Sequence, residues 1–435
     1  MDDNQRSGHS GAVLRSLLGT LLLAATATCT EPTRPEPTRP LSPVGSITLA
    51  PTTVAIGRGA GLTLVATARD SAGNSIAAPV AWTSSAPTIA TVSQKGVVSA
   101  LAYGAVTIYA STGVESTGVK SAATEVVVIA PATTSAYTVR EVPSAASVPY
   151  RSEQLNDSGD VLLGHVVLRG VVLNIPGCTP VALNNLSHVL CRTGAPAEFS
   201  TYGIWRGGVL APLVPADSFK AAAFSAFALN DSGVVVGMYY NPAFSNANCS
   251  SSTPCVVLWK NGEPTFLKLG FSWSGAPTHL NNRLDLVLQE RMFAPTQYSS
   301  TELYNATTGQ HRTITRFARS INDQGWVAAE REYRSPLPMK SGSDAMVALS
   351  DTTIKIGPGA ATGINDAGTV VGTLEIGPFR WTKEGGASLM AKASTDPSWT
   401  ITTALRINNR GQILAQANHA DGRQGRWVIL TPTTP

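Results

Sequence analysis

The sequence predicts an all-β protein in two modules. An Ig-like β-sandwich spans residues 46–130, and a seven-bladed β-propeller spans residues 137–435, its N- and C-terminal strands together closing one blade. Three observations lead there. A short phrase, Leu or Ile followed by Asn-Asp or Asn-Asn, recurs seven times after residue 150. Between the copies the chain reads as short β-branched runs bounded by Gly, Asn and Asp, which argues strand over helix. Upstream, seven short runs fall between residues 46 and 130 with frequent turns, the strand density of a sandwich.

Residues 1–28 read as an export signal. Arg6 and Arg15 flank an uncharged run from Leu17 to Thr28, too short to span a bilayer but suited to the apolar region of a signal peptide. Asp2 and Asp3 are unusual in such a leader. Two endings stay open. Ala25-Thr26-Ala27 offers an ordinary cleavage site, whereas Thr26-Ala27-Thr28-Cys29 resembles the bacterial lipobox, with Cys29 as the lipidated residue. It lacks the usual Leu three before the Cys and the Gly or Ala just before it. The following segment, 29–45, favours the lipoprotein. Glu31-Pro32-Thr33-Arg34-Pro35 repeats at once as Glu36-Pro37-Thr38-Arg39-Pro40, and Pro-rich chain is a semi-rigid tether of about 3.1 Å per residue.

The sandwich strands are expected at Ser46–Leu49, Leu62–Arg69, Val80–Thr83, Ala90–Val92, Val97–Ala100, Val106–Ala110 and Thr124–Ile129. Val80-Ala81-Trp82-Thr83-Ser84-Ser85, Ile89-Ala90-Thr91-Val92-Ser93, Gly96-Val97-Val98-Ser99-Ala100 and Gly104-Ala105-Val106-Thr107-Ile108 resemble the bacterial Ig-like group 2 family. That resemblance implies a spacer or adhesive module rather than an enzyme. The segment has no cysteine, so Trp82 is expected to pack in the core without a disulfide.

In the second module, the turn phrase stands at Leu155-Asn156-Asp157, Leu183-Asn184-Asn185, Leu229-Asn230-Asp231, Leu280-Asn281-Asn282, Ile321-Asn322-Asp323, Ile364-Asn365-Asp366 and Ile407-Asn408-Asn409. In five copies a Gly follows the Asn by three residues. Asn and Asp can bond their own backbone two residues on, and the Gly supplies the positive φ of a closed hairpin. An aromatic or apolar strand recurs at Gly203-Ile204-Trp205, Leu258-Trp259, Phe379-Arg380-Trp381 and Arg426-Trp427. Four strands per roughly 42 residues is the proportion of a propeller blade. The module opens on Tyr137–Val142 and ends on Gly425–Leu430, each reading as part of a unit, so the two are expected to complete one blade. Asp366-Ala367-Gly368-Thr369-Val370-Val371-Gly372 and Asp231-Ser232-Gly233-Val234-Val235-Val236-Gly237 resemble the extracellular HAF-type repeat family. That resemblance implies a secreted, propeller-like domain and brings no catalytic residues. Calcium is a weaker reading of Asn156–Asp160, because Ca²⁺ needs about 6–8 oxygens and the copies at Asn184 and Asn281 carry no acid in second place.

Four cysteines remain after Cys29: Cys178, Cys191, Cys249 and Cys255. Local pairing of Cys178 with Cys191 and of Cys249 with Cys255 is the simplest of the three connectivities; an exported chain makes four buried thiols the lesser alternative.

The chain carries a net charge of +4 with 14% charged residues, and no Lys/Arg cluster supports nucleic acid. No second hydrophobic run is long enough to span a membrane, so any membrane contact is expected through the N-terminal lipid alone. There is no Cys/His cluster, and His9, His165, His188, His279, His311 and His419 have no metal-ligand spacing; no metal or cofactor is expected. His165 and His188 could face one channel, and Glu290, Glu330 and Glu332 could pair for glycoside or lyase chemistry. Tyr239, Tyr240, Phe271, Trp273 and Trp399 fall outside the repeat positions and are candidates for stacking on a sugar or holding a partner. These features suggest a protein of the bacterial cell envelope, lipid-anchored or secreted, that binds a surface glycan or an envelope protein without catalysis. The alternatives are a propeller-based polysaccharide lyase or hydrolase, and a scaffold subunit of a surface complex.

Overall fold

The computed structural model describes residues 44–112, 120–143, 153–193, 201–213, 223–240, 255–269, 275–289, 301–314, 317–334 and 341–433. No described residue is helical, and none lies in a helix long and apolar enough to cross a membrane. The N-terminal leader, Cys29 and the Pro-rich segment lie outside the described residues.

Ten strands build the N-terminal sandwich. Val44–Ala50 pairs with Val65–Asp70, which pairs with Ser75–Ile76. A second sheet runs Thr53–Gly57, Lys120–Ile129, Gly104–Thr112 and Ala81–Ser84. A third joins Gly61–Thr63, Val97–Ala100 and Ala90–Val92. Alternating residues such as Val106, Ile108, Val126 and Val128 are fully buried and pack with Val98, with Trp82 against them. Trp82 therefore sits in the core, as its sequence context implies, and it crowds Gly96, whose φ is +75° and where a Cβ would come within 2.8 Å of the indole. The run expected as one strand from Leu62 to Arg69 is two strands in two sheets. Between them Leu64 is buried and its N–H donates to the Gly96 carbonyl, so the chain changes sheets there. Thr53–Gly57, absent from the sequence reading, pairs in parallel with Lys120–Ile129.

From Tyr137 onward the strands fall into seven four-stranded units. Five are separate sheets, the first being Gln154–Leu155, Val161–Leu162, Val166–Leu168 and Val171–Leu173. The fifth and sixth share the 12-residue strand Thr353–Ile364. Its first half pairs with Ser341–Ala348 and its second half with Val370–Leu374, and Gly359, with a φ of +140°, stands at the junction. There a Cβ would lie 2.3 Å from the Thr373 carbonyl oxygen, so only glycine fits. In the last unit Trp399–Ile407, Ile413–His419 and Arg426–Pro432 are completed by Tyr137–Glu141, which pairs antiparallel with Arg426–Pro432. The two ends of the module thus share one sheet, as the repeat phase implies.

The sandwich is seated on the sixth unit. Val127 belongs to the same buried cluster as Phe379, Val370 and Trp381. The Ala130 N–H donates to the Ala387 carbonyl and the Thr133 N–H to that of Leu389. Lys355 bridges the modules, 3.0 Å from Glu125 and 3.1 Å from Asp344. Burial alone would lower its pKa, but the two carboxylates outweigh it and hold the ammonium above its ordinary value.

Candidate functional site

The turn phrase does more than close hairpins. In the first turn, the Asn156 side-chain oxygen accepts N–H bonds from Ser158 and Asp160 at 3.0 and 2.8 Å, which is the expected local chemistry. Its amide nitrogen, however, leaves the unit. Asn156 Nδ2 donates to the Asn184 carbonyl, Asn184 to Asn230, Asn230 to Asn281, Asn281 to Asn322, Asn322 to Asn365, Asn365 to Asn408 and Asn408 back to Asn156, at 2.8–3.2 Å. All seven asparagines are buried. Buried polar groups must be satisfied, and only a side chain with both a donor and an acceptor serves the turn and the neighbour at once.

A second cycle runs beside the first through the following residue. The N–H of Asp157 donates to Asn185 Oδ1, and the series continues through Asp231, Asn282, Asp323, Asp366 and Asn409 back to Asp157, at 2.7–2.9 Å. Asn side chains separate the carboxylates: Asn282 donates to both Asp231 and Asp323, at 2.8 and 2.9 Å. With an odd number of places one like pair is unavoidable, here Asp323 beside Asp366. Burial chiefly, and then the Asp323 and Asp157 charges, raise the Asp366 pKa, against N–H and amide bonds that lower it. The copies that lack Gly keep the backbone shape at a strained residue: Ser187 and Leu284 have φ of 60° and 64°.

Behind these turns, the first strand of every unit lines a single cavity of about 660 Å³. In six of the seven first strands the pairing slips at the third residue before the turn Asn, leaving Val181, Phe227, Thr278, Arg319, Thr362 and Leu405 as extra residues. Such bulges re-aim side chains, here bringing consecutive residues to the cavity wall. The wall has two characters. Units two and three present Val181, Ala182, Phe227 and Ala228. Units four, five, seven and one present His279, Arg319 with Glu330, Arg406 and Glu153. Arg319 Nε donates to Glu330 at 3.0 Å, and Nη2 bonds the same oxygen. Arg406 donates from Nε to the Glu153 carbonyl at 2.8 Å and from Nη1 to the Thr362 carbonyl at 2.7 Å. Burial, and then the nearby Arg406 and Arg319 charges, push the His279 pKa down to about 4, against a backbone bond at Arg319 that raises it. The imidazole is therefore neutral at pH 7.

The expected site residues are placed differently. Tyr239 is buried, edge-on to Phe266 with ring centres 5.9 Å apart. Trp399 is also buried, packed against His419 and covered by Arg423. Both belong to the core and neither is open to a sugar. Tyr240 ends the strand Val235–Tyr240, while its side chain, Phe271 and Trp273 lie outside the described residues. His165 and His188 do not line the cavity; they flank second strands, and His279 on a first strand does. Of the three acids, Glu330 lines it, whereas Glu290 and the Glu332 side chain lie outside the described residues. Cys178 and Cys191 form a disulfide. Cys255 is disulfide-bonded as well, and Cys249 lies outside the described residues. No metal-binding group of acids, His and Cys occurs among the described residues.

Phe227, His279, Arg319 and Arg406 were legible only by register. Two residues before the turn Asn, four copies carry the small Ala182, Ala228, Ser320 and Gly363, while Gln154, His279 and Arg406 break the pattern.

The N-terminal strands correspond to a known family. Residues 43–126 match the bacterial Ig-like domain (group 2). No curated protein matches the chain. Among solved structures, domains 5–6 of the S-layer protein SbsC are similar at 14% identity and a TM-score of 0.19, covering 62% of this chain and 96% of that one. A gluconolactonase from Xanthomonas campestris is similar at 10% identity and a TM-score of 0.29, covering 67% and 99%. A prolyl endopeptidase is similar at 13% identity and a TM-score of 0.21, covering 74% and 57%. Overlaps this loose establish no shared fold.

Proposed function

We propose that the seven units are the blades of a closed propeller of HAF-type repeats, and that the protein binds a glycan or another envelope component at the bacterial cell surface. Two hydrogen-bond cycles that return to their starting residue support closure, as does the sheet shared by both ends. The Ig-like domain and the Cys178–Cys191 disulfide suit an extracytoplasmic setting, because disulfides persist in oxidising compartments. Cys29 would carry the lipid and residues 29–45 would space the sandwich from the membrane.

The observation that carries binding is the two-sided cavity, apolar at Phe227 and charged at Arg319 and Arg406. Small-ligand sites combine apolar walls with a few placed polar groups in just this way. Both carboxylates on the wall, Glu330 and Glu153, face guanidinium groups. Retention of the soluble chain, residues 42–435, on a panel of immobilised polysaccharides tests the reading. Retention on one glycan supports it, and loss with EDTA would bring calcium back. No retention on any glycan removes the glycan form and leaves an envelope protein partner or a scaffold role.

His279 favours a second reading, a polysaccharide lyase or hydrolase. Its imidazole is unprotonated at pH 7, as a base must be, although burial and the two arginines hold it well below the pKa near 7 that serves a general base best. Release of unsaturated or reducing ends from a retained glycan, lost in His279→Gln, would establish it.

A further inference from the structure

Resting on the binding reading above, the geometry points to the chemical class of ligand: we propose that the cavity takes a uronic-acid residue of an acidic polysaccharide, its ring against Phe227 and its carboxylate turned to Arg319 and Arg406.

Three observations carry this. First, the guanidinium groups are only partly used. Arg319 spends Nε and Nη2 on Glu330, and Nη1 takes part in neither bond. Arg406 spends Nε and Nη1 on backbone carbonyls, and its Nη2 stands 3.6 Å from Glu153, beyond a good hydrogen bond. Arg319 Nη1 is thus left for an incoming acceptor, while Arg406 Nη2, loosely ion-paired with Glu153 at 3.6 Å, can share a second one, and a planar carboxylate suits such donors. Second, the two cations act on the same spot, since both depress the His279 proton affinity. An anion placed there would answer the mutual repulsion of Arg319 and Arg406. Third, the opposite arc is apolar and carries an aromatic ring, Phe227, which is neither buried nor fully exposed. A bare anion such as phosphate would leave that arc empty, and a neutral sugar would leave the Arg319 Nη1 donor without a charged acceptor. A pyranose bearing a carboxylate meets both arcs, and a cavity of about 660 Å³ has room for it.

The test is calorimetric titration of residues 42–435 with trigalacturonate and with neutral galactotriose, poly-glutamate serving as a polyanion without sugar rings. Trigalacturonate should bind at least about tenfold more tightly than either. Phe227→Leu, which keeps apolar volume and loses the flat face, should weaken it by up to about tenfold. Arg319→Gln should do the same; if that variant melts early, Arg319→Lys preserves the charge and loses the fork. Equal binding of galactotriose overturns the proposal but leaves a glycan-binding protein. Equal binding of poly-glutamate overturns it in favour of plain charge attraction. Trigalacturonate binding that Phe227→Leu and the Arg319 variants leave unchanged places the ligand elsewhere and also overturns it. Binding of none of the three overturns it, while the polysaccharide panel still decides the broader reading.

Discussion

At the scale of single residues, asparagine is required by its two ends. Asn322 Oδ1 accepts from Gln324 and Trp326 at 3.1 and 2.8 Å while Nδ2 donates to Asn365 at 2.9 Å. Asn322→Asp keeps the acceptor and sets a buried carboxylate oxygen against a carbonyl, so it should cost roughly 2–4 kcal/mol, read as a lower urea midpoint. Asp366→Asn should act in the other direction. The raised Asp366 pKa means that its ionisation is disfavoured in the folded state, a cost present at neutral pH and absent below the unfolded value. The substitution should therefore stabilise by a few tenths to about 1 kcal/mol at pH 7 and by nothing near pH 3. His279 supplies a pH dependence of its own. Its folded pKa of about 4 lies below the unfolded value of about 6.5, so stability is full above pH 6.5 and falls as the pH drops toward 4, where the unfolded chain alone takes the proton. The loss should reach roughly 1–3 kcal/mol, reduced from a dry-interior figure because the ring faces a cavity. Melting in His279→Gln should show a shallower slope across that window; an unchanged slope would remove His279 as its source.

Among the elements, what could be read in advance follows from the range of each interaction. Turns close within five residues, so Asn156–Asp160 and its copies were legible as hairpin chemistry. The cycles join neighbouring copies 28 to 51 residues apart and the last copy to the first over 252, and leave no local signature, although the Asn survives in the copies at 184 and 281 where the Gly does not. The Leu62–Arg69 run looked continuous because neither Gly nor Pro marks the change of sheet at Leu64. Thr53–Gly57 was missed because a parallel partner is found far along the chain, without a connecting turn. The bulges at Phe227 and Arg319 depend on register within the folded sheet, so the charged and aromatic wall was hidden until the strands were aligned. The disulfide belongs to the legible part. It joins the first two strands of the second unit over 13 residues, and converting Cys178 and Cys191 to serine should destabilise by about 3 kcal/mol, checked by thermal melting with and without reductant.

For the whole molecule, the placing of the chain ends decides how stability is distributed. Tyr137–Glu141 is only five residues long, yet it covers the edge of Arg426–Pro432, and Tyr137 is buried in one cluster with Met390, Trp399 and Leu430. A ring held by neighbour-to-neighbour bonds has no weak end while it is closed; opened, it has two. Removing the sandwich and removing this strand should therefore differ in kind. A chain beginning at residue 131 loses the Val127 and Lys355 contacts and exposes part of one cluster, but every unit keeps four strands, so it should still melt in one cooperative transition at a lower temperature. A chain beginning at residue 144 loses fewer buried residues after that point than the sandwich contained, but it bares a long edge strand, and such edges pair with other chains. It should melt broadly and associate, measured by light scattering alongside circular dichroism. A sharp, monomeric transition in the shorter chain would mean that the last sheet does not need its borrowed strand, and the proposed closure would then rest on the asparagine cycles alone.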